Sequence, residues 1–193
     1  MNIEKIGNRD MSQGLIADYK PFTMVDGEGI RCALYVSGCP LACKGCYNKS
    51  IQDFNAGTPY TRELESRILD DLSHEGVQGL TLLGGEPFMN VWVCLSLINR
   101  MRLRFGDTKD IWCWSGFTWE EINNSLINRT HQGQLREMML NEIDVLVDGR
   151  YIEEQEGWSK GQIKFRGSWN QRIINVKESL RNDEIVMLEH YMN

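Results

Sequence analysis

No apolar run in this 193-residue chain approaches the roughly 20 residues needed to cross a bilayer as a helix, so a membrane-spanning segment is not expected. Blocks of lysine and arginine are missing as well. With a net charge of −6 the chain lacks the basic footprint of a nucleic-acid binder or of a protein held to an anionic membrane surface. Only four prolines occur, and no Pro/Gly linker, internal repeat or low-complexity tract divides the sequence. One domain over residues 1–193 is therefore expected. The three histidines, His74, His131 and His190, fall in polar segments without ligand spacing, which argues against a histidine metal site. Residues 1–20 mix charges with isolated apolar residues and lack a signal-peptide core, so a cytoplasmic, reducing location is expected.

Six cysteines are too few for a disulfide framework in a chain of this length. Cys32, Cys94 and Cys113 each lie among apolar residues and read as small core side chains. The other three are clustered: Cys39, Cys43 and Cys46 stand in the spacing C-x3-C-x2-C, with no fourth cysteine nearby. Thiolates suit zinc or iron–sulfur clusters. A cubane has four irons and is normally held by four thiolates, so three would leave one iron open for chemistry. The alternatives are a zinc knuckle in a non-catalytic module, a C-x-x-C redox pair that leaves Cys39 idle, and a simple electron carrier. Zinc wants a fourth ligand and usually two separated C-x2-C pairs.

Apolar patterning sets strands at Ile30–Val36, 79–83, Asp110–Trp114 and 143–147, alternating with helices at 61–72, Val91–Phe105, 118 to about 126, and 135–140. Thr61 and Thr118 are suited to N-cap their helices. Past Arg150, short strands are expected at 163–165, 171–176 and 185–188. Strand–helix alternation implies a parallel sheet with ligands at the carboxyl ends of its strands. The cysteine loop, Gly84-Gly85-Glu86-Pro87, Ser115-Gly116 and Asp148-Gly149 each follow a strand, so all four should meet at one edge. Gly84 and Gly85 would let a ligand meet backbone groups directly, and Glu86 would order the loop or face an ammonium group.

The cysteine triplet followed one strand later by Gly-Gly-Glu resembles the radical S-adenosylmethionine superfamily. Asp26-Gly27-Glu28-Gly29-Ile30-Arg31, Gly45-Cys46-Tyr47-Asn48, Ser115-Gly116-Phe117-Thr118-Trp119-Glu120-Glu121, Asp144-Val145-Leu146-Val147-Asp148-Gly149 and Arg166-Gly167-Ser168-Trp169-Asn170-Gln171-Arg172 narrow the resemblance. They are similar to the glycyl-radical-enzyme activases, in the branch that serves anaerobic ribonucleoside-triphosphate reductase. The resemblance runs over about 14–176 and leaves a tail from 177 to 193. Glu28 replaces the usual proline of Asp-Gly-Pro-Gly, and Trp169 stands where a small residue is commoner.

The resemblance implies an α/β fold, a partial (β/α) barrel of the radical SAM type with a mostly parallel sheet and helices outside. It implies a [4Fe-4S] cluster on Cys39, Cys43 and Cys46, the catalytic centre, and S-adenosylmethionine chelated to the open iron. Gly84, Gly85 and Glu86 would meet the methionine amino group, while Gly45, Cys46 and Tyr47 would flank the adenosyl part. The implied partners are the large glycyl-radical subunit of the reductase and an electron donor such as flavodoxin. A formate-lyase type of partner is the near alternative. Asp148 is either a site-ordering aspartate or a turn residue, and Arg166 and Arg172 bind the partner, bind the cofactor carboxylate or are solvated.

Overall fold

In the computed structural model, residues 14–127 and 130–192 are described, the side chains of 124–127 excepted. The reading of residues 1–13 lies outside them. Seven strands, β1 (Leu15–Thr23), β2 (Ile30–Val36), β3 (Thr58–Pro59), β4 (Val77–Gly84), β5 (Asp110–Trp114), β6 (Val145–Asp148) and β7 (Arg172–Asn175), form one sheet in the order β3-β1-β2-β4-β5-β6-β7. The pairings β2–β4, β4–β5 and β5–β6 are parallel. Those flanking them, β3–β1, β1–β2 and β6–β7, are antiparallel. The sheet is thus mixed, parallel in its middle and not closed, rather than mostly parallel throughout. The outer strands are joined by a hairpin turn or by irregular chain, and neither supplies the helical crossover a parallel neighbour needs.

The helices are α1 (Arg62–Leu72), α2 (Val91–Phe105), α3 (Trp119–Ile127), α4 (His131–Glu142) and α5 (Val176–Asn182). Thr61 caps α1 by accepting from the Leu64 amide at 3.2 Å. Thr118 and Glu121 form a reciprocal capping box at the start of α3, with bonds of 3.2 and 3.0 Å. None of these helices is long and apolar enough to cross a membrane.

Strand alternation gives the sheet two different faces. Cys32, Leu34, Leu80, Leu82, Ile111, Cys113, Leu146 and Ile174 belong to the main core beneath the helices. The intervening residues Arg31, Tyr35, Thr81, Leu83, Trp112, Trp114, Val147 and Ile173 point the other way, toward a smaller aromatic cluster and a cavity. That face is covered by chain rather than by helices. The β1–β2 loop folds over it, where the Asp26 carbonyl accepts from Thr81 Oγ1 at 2.6 Å and its carboxylate from Tyr35 Oη at 3.1 Å. Arg31, fully buried, holds that loop through the Glu28 carbonyl (3.1 Å) and pairs with Asp110 at 2.5 Å.

The C-terminal residues depart from expectation. Residues 163–165 form bends, because Phe165 takes φ +57 and breaks the extended path. Instead of extending to 176, β7 ends at Asn175, whose side chain caps α5 by accepting from the Glu178 amide at 3.1 Å. Of 185–188 only the single bridge Ile174–Met187 has strand character. This stretch shields the free edge of β7 and delivers Tyr191 and Met192 to the aromatic cluster.

Candidate metal and cofactor site

The loops after β2, β4, β5 and β6 meet around one cavity of about 380 Å³. Cys39, Cys43, Cys46, Tyr47, Gly84 and Gly85 all line it, as do Ser115, Gly116 and Gly149. Two of the residues expected to meet the methionine amino group or the adenosyl part do not. Gly45 turns with φ +71 against the Glu153 side chain. Glu86 is fully buried beneath the cavity.

Backbone bonds stitch the first two loops together. Gly85 N donates to the Val36 carbonyl and Glu86 N to the Gly38 carbonyl, both at 2.8 Å. A side chain on Gly85 would run into the Gly38 carbonyl, and Gly84 sits at φ +108 with Tyr35 against it, so each glycine is required for its own reason. Asn48, just beyond the third cysteine, donates to the Gly84 carbonyl at 3.1 Å. Its role was hidden in the sequence, since nothing there shows which strand end the cysteine loop leans on.

Glu86 fastens the second loop to the third. It accepts from the Phe88 amide (3.1 Å), Ser115 Oγ (2.9 Å) and the Gly116 amide (2.8 Å). Burial raises its carboxyl to about 7 despite these donors. Three donors on four lone-pair positions leave one acceptor position.

From the other side, the segment after Arg150 clasps the cysteine loop. Lys44 pairs with Glu153 at 2.8 Å and Glu154 at 3.2 Å. Tyr47, itself 58% exposed, meets Tyr151 and Trp158 edge-on, with centroids 5.4 and 5.9 Å away. Asp148 does not line the cavity. It accepts from the Trp119 amide at 2.6 Å, fixing the start of α3, and pairs with Arg172. Arg172 also grips Glu120 through two bonds, so its charge is spent on two carboxylates. Arg166 does line the cavity.

The three clustered thiols line one cavity and feel one another's charge. Burial, the Glu86 charge and the other two thiols push Cys39 up to about 12, and burial with Cys46 raises Cys43. Soft sulfurs that repel one another as anions suit a strongly cationic centre, which deprotonates a coordinating thiol outright. Cys32, Cys94 and Cys113 are fully buried in the main core, so among the described residues no fourth cysteine lines the cavity. Nor do any three His, Cys, Asp or Glu side chains there stand grouped to hold one metal ion. A cubane asks for a wider set, because each thiolate takes a different iron.

Comparison with known proteins agrees with this geometry. Residues 25–174 match the family model described as a 4Fe-4S single cluster domain. The chain is 40% identical over 159 residues to the anaerobic ribonucleoside-triphosphate reductase-activating protein of Vibrio cholerae serotype O1, covering 80% of this chain and 94% of that one. The protein of the same name from Haemophilus influenzae is 40% identical over 163 residues, covering 82% and 96%. The one from Escherichia coli K12 is 36% identical over 163 residues, covering 82% and 97%.

Proposed function

Since the chain belongs to the family of anaerobic ribonucleoside-triphosphate reductase-activating proteins and carries a 4Fe-4S domain, we infer that it is a radical S-adenosylmethionine enzyme that installs the glycyl radical of that reductase. The observation that carries the reading is the convergence of exactly three cavity-lining cysteines with the Gly84–Gly85 backbone. Cys39, Cys43 and Cys46 hold a [4Fe-4S] cluster with one iron left open. When bound, the cluster supplies the electron that splits S-adenosylmethionine into methionine and a 5′-deoxyadenosyl radical, which takes a hydrogen atom from a glycine of the large reductase subunit.

The chain's own residues bind, orient and shield. Gly84 and Gly85 bring backbone groups to the methionine amino group. Glu86 holds their loop against Ser115 and Gly116 and offers its remaining lone pair from below. Tyr47 covers the adenosyl part, together with Cys46, Gly45 supplies the turn between the cysteines behind them, and the Tyr151–Trp158 side of the mouth excludes water from a reactive centre. Placing the small molecule against the cluster replaces a chance encounter with a fixed geometry. In this reading the open sheet is a partial barrel of the radical SAM type forming a single domain over 1–193. The partner completes its open side, a flavodoxin-like donor reduces the cluster, and the protein works in the cytoplasm.

The test is electron paramagnetic resonance of the anaerobic mixture of cluster-loaded protein, reductant, S-adenosylmethionine and anaerobic ribonucleotide reductase. A glycyl-radical signal on the reductase is expected. Cleavage to 5′-deoxyadenosine without that signal would shift the assignment to another glycyl-radical enzyme, such as the formate-lyase type. Absence of cleavage would end it.

A further inference from the structure

Arg166 differs from the other arginines around the sheet. Arg31 faces Asp110, Arg150 faces Glu121, and Arg172 faces both Asp148 and Glu120. Arg166 is only 3% exposed and, among the described residues, forms no ion pair with a carboxylate. Its NH1 donates to the carbonyls of Gln171 at 3.0 Å and Trp169 at 3.3 Å, and its NH2 to the carbonyl of Met192 at 2.8 Å. Its Nε is buried and, among the described residues, has no hydrogen-bond partner. Carbonyl dipoles orient a guanidinium without neutralising it, and a buried cation with a vacant donor is costly unless an anion arrives.

The surroundings suit a site built for such an arrival. Arg166, Gly167 and Gln171 line the same cavity as the cysteines. Gln171 fixes the turn: its Oε1 accepts from the amides of Gly167 (2.7 Å) and Ser168 (3.1 Å), and its Nε2 donates to the Gly149 carbonyl at 2.9 Å. The centroid of the Trp169 ring, 46% exposed, lies 5.4 Å from the guanidinium carbon, so one wall of the site is an exposed aromatic side chain. The C-terminal segment takes part as well, since the Met192 carbonyl sets the guanidinium orientation.

We propose that Arg166 is the carboxylate-binding residue of this cavity. On the function inferred above, its ligand is the methionyl carboxylate of S-adenosylmethionine, the one carboxylate that molecule carries. Arg172, already held by two carboxylates, does not share the task.

The test is equilibrium binding to the cluster-loaded, oxygen-protected protein, using S-adenosylmethionine and its decarboxylated analogue, which differs only in lacking that group. In wild type, removing the carboxylate costs affinity. Arg166→Gln should weaken S-adenosylmethionine roughly tenfold to a hundredfold and leave the analogue unchanged, the range expected for one charge-assisted hydrogen bond. Arg166→Lys, which keeps the charge, should retain part of the discrimination and covers the case in which Arg166→Gln does not fold. Equal weakening of both compounds, or of neither, overturns the assignment. Wild type that binds neither compound overturns the functional reading itself.

Discussion

The two faces of the sheet are written by the same strands and differ in almost every physical respect. Under the helices, Leu34, Leu80, Leu82, Ile111 and Leu146 form an aliphatic layer closed to solvent. On the cavity face the alternate residues are Arg31, Tyr35, Thr81, Leu83 and Trp114, which are polar, aromatic or cavity-lining. One face holds the fold and the other presents chemistry. The cysteines divide in the same way: Cys32, Cys94 and Cys113 are packed among hydrophobic side chains, whereas Cys39, Cys43 and Cys46 occupy a loop at the strand ends. Sharing strands means that a loop at the strand ends is anchored by the core on the opposite side.

The largest effect should come from exchanging cysteines between these classes. Alanine at Cys39, Cys43 or Cys46 should abolish iron retention and reductase activation, read from iron content and visible absorbance after reconstitution. Alanine at Cys94 should keep the cluster and cost about 1–3 kcal/mol of packing. A Cys94→Ala protein that loses its iron while still folded would erase the distinction.

Adjacent leucines sharpen the comparison at the level of stability. Leu82→Ala on the helix face should cost about 2–5 kcal/mol in urea unfolding. Leu83→Ala, one residue on, is at a position that lines the cavity and is 8% exposed, and should cost about 1–2 kcal/mol. Equal costs would mean that both faces are packed alike.

Glu86, which fastens the loop after β4 to the loop after β5, gives a pH-dependent effect. Its folded value of about 7 lies above the ordinary glutamate value of roughly 4.3 in an unfolded chain. The folded state therefore binds this proton more tightly. Stability falls as pH rises from about 4.5 to 7 and is fully reduced above 7, by on the order of 3–4 kcal/mol. Unfolding of cluster-free protein at pH 5 and 7.5 should show this slope, and Glu86→Gln should flatten it even though the substitution is itself destabilising. An unchanged slope would show that another group is responsible.

The parallel centre of the fold was legible because buried strands read as short apolar runs: Ile30–Val36 and Asp110–Trp114 match to the residue, as does the helix Val91–Phe105. The gathering of four strand-end loops at one cavity followed from strand direction alone. Strand β1 was not legible. It is an outer strand in which only Ile16 is buried, with Asp18, Lys20 and Pro21 interrupting any apolar pattern. Helix α5 was hidden because β7 passes into it at Asn175, with no break in apolar residues from Ile173 to Val176 beyond that cap. In the site, residue identity marked the cysteines and glycines. It could not reveal that Glu86 lies beneath the cavity, nor which of two nearby arginines is already neutralised, since both depend on contacts between distant segments.

The most direct measurement is the electron paramagnetic resonance of the reduced, reconstituted cluster before and after addition of S-adenosylmethionine, with iron and sulfide counted per chain. Three thiolates around an open iron predict about four irons per chain and a spectrum that changes when the small molecule binds. An iron-free protein, or a cluster spectrum that S-adenosylmethionine leaves unaltered because a fourth side chain already fills the site, would contradict the account.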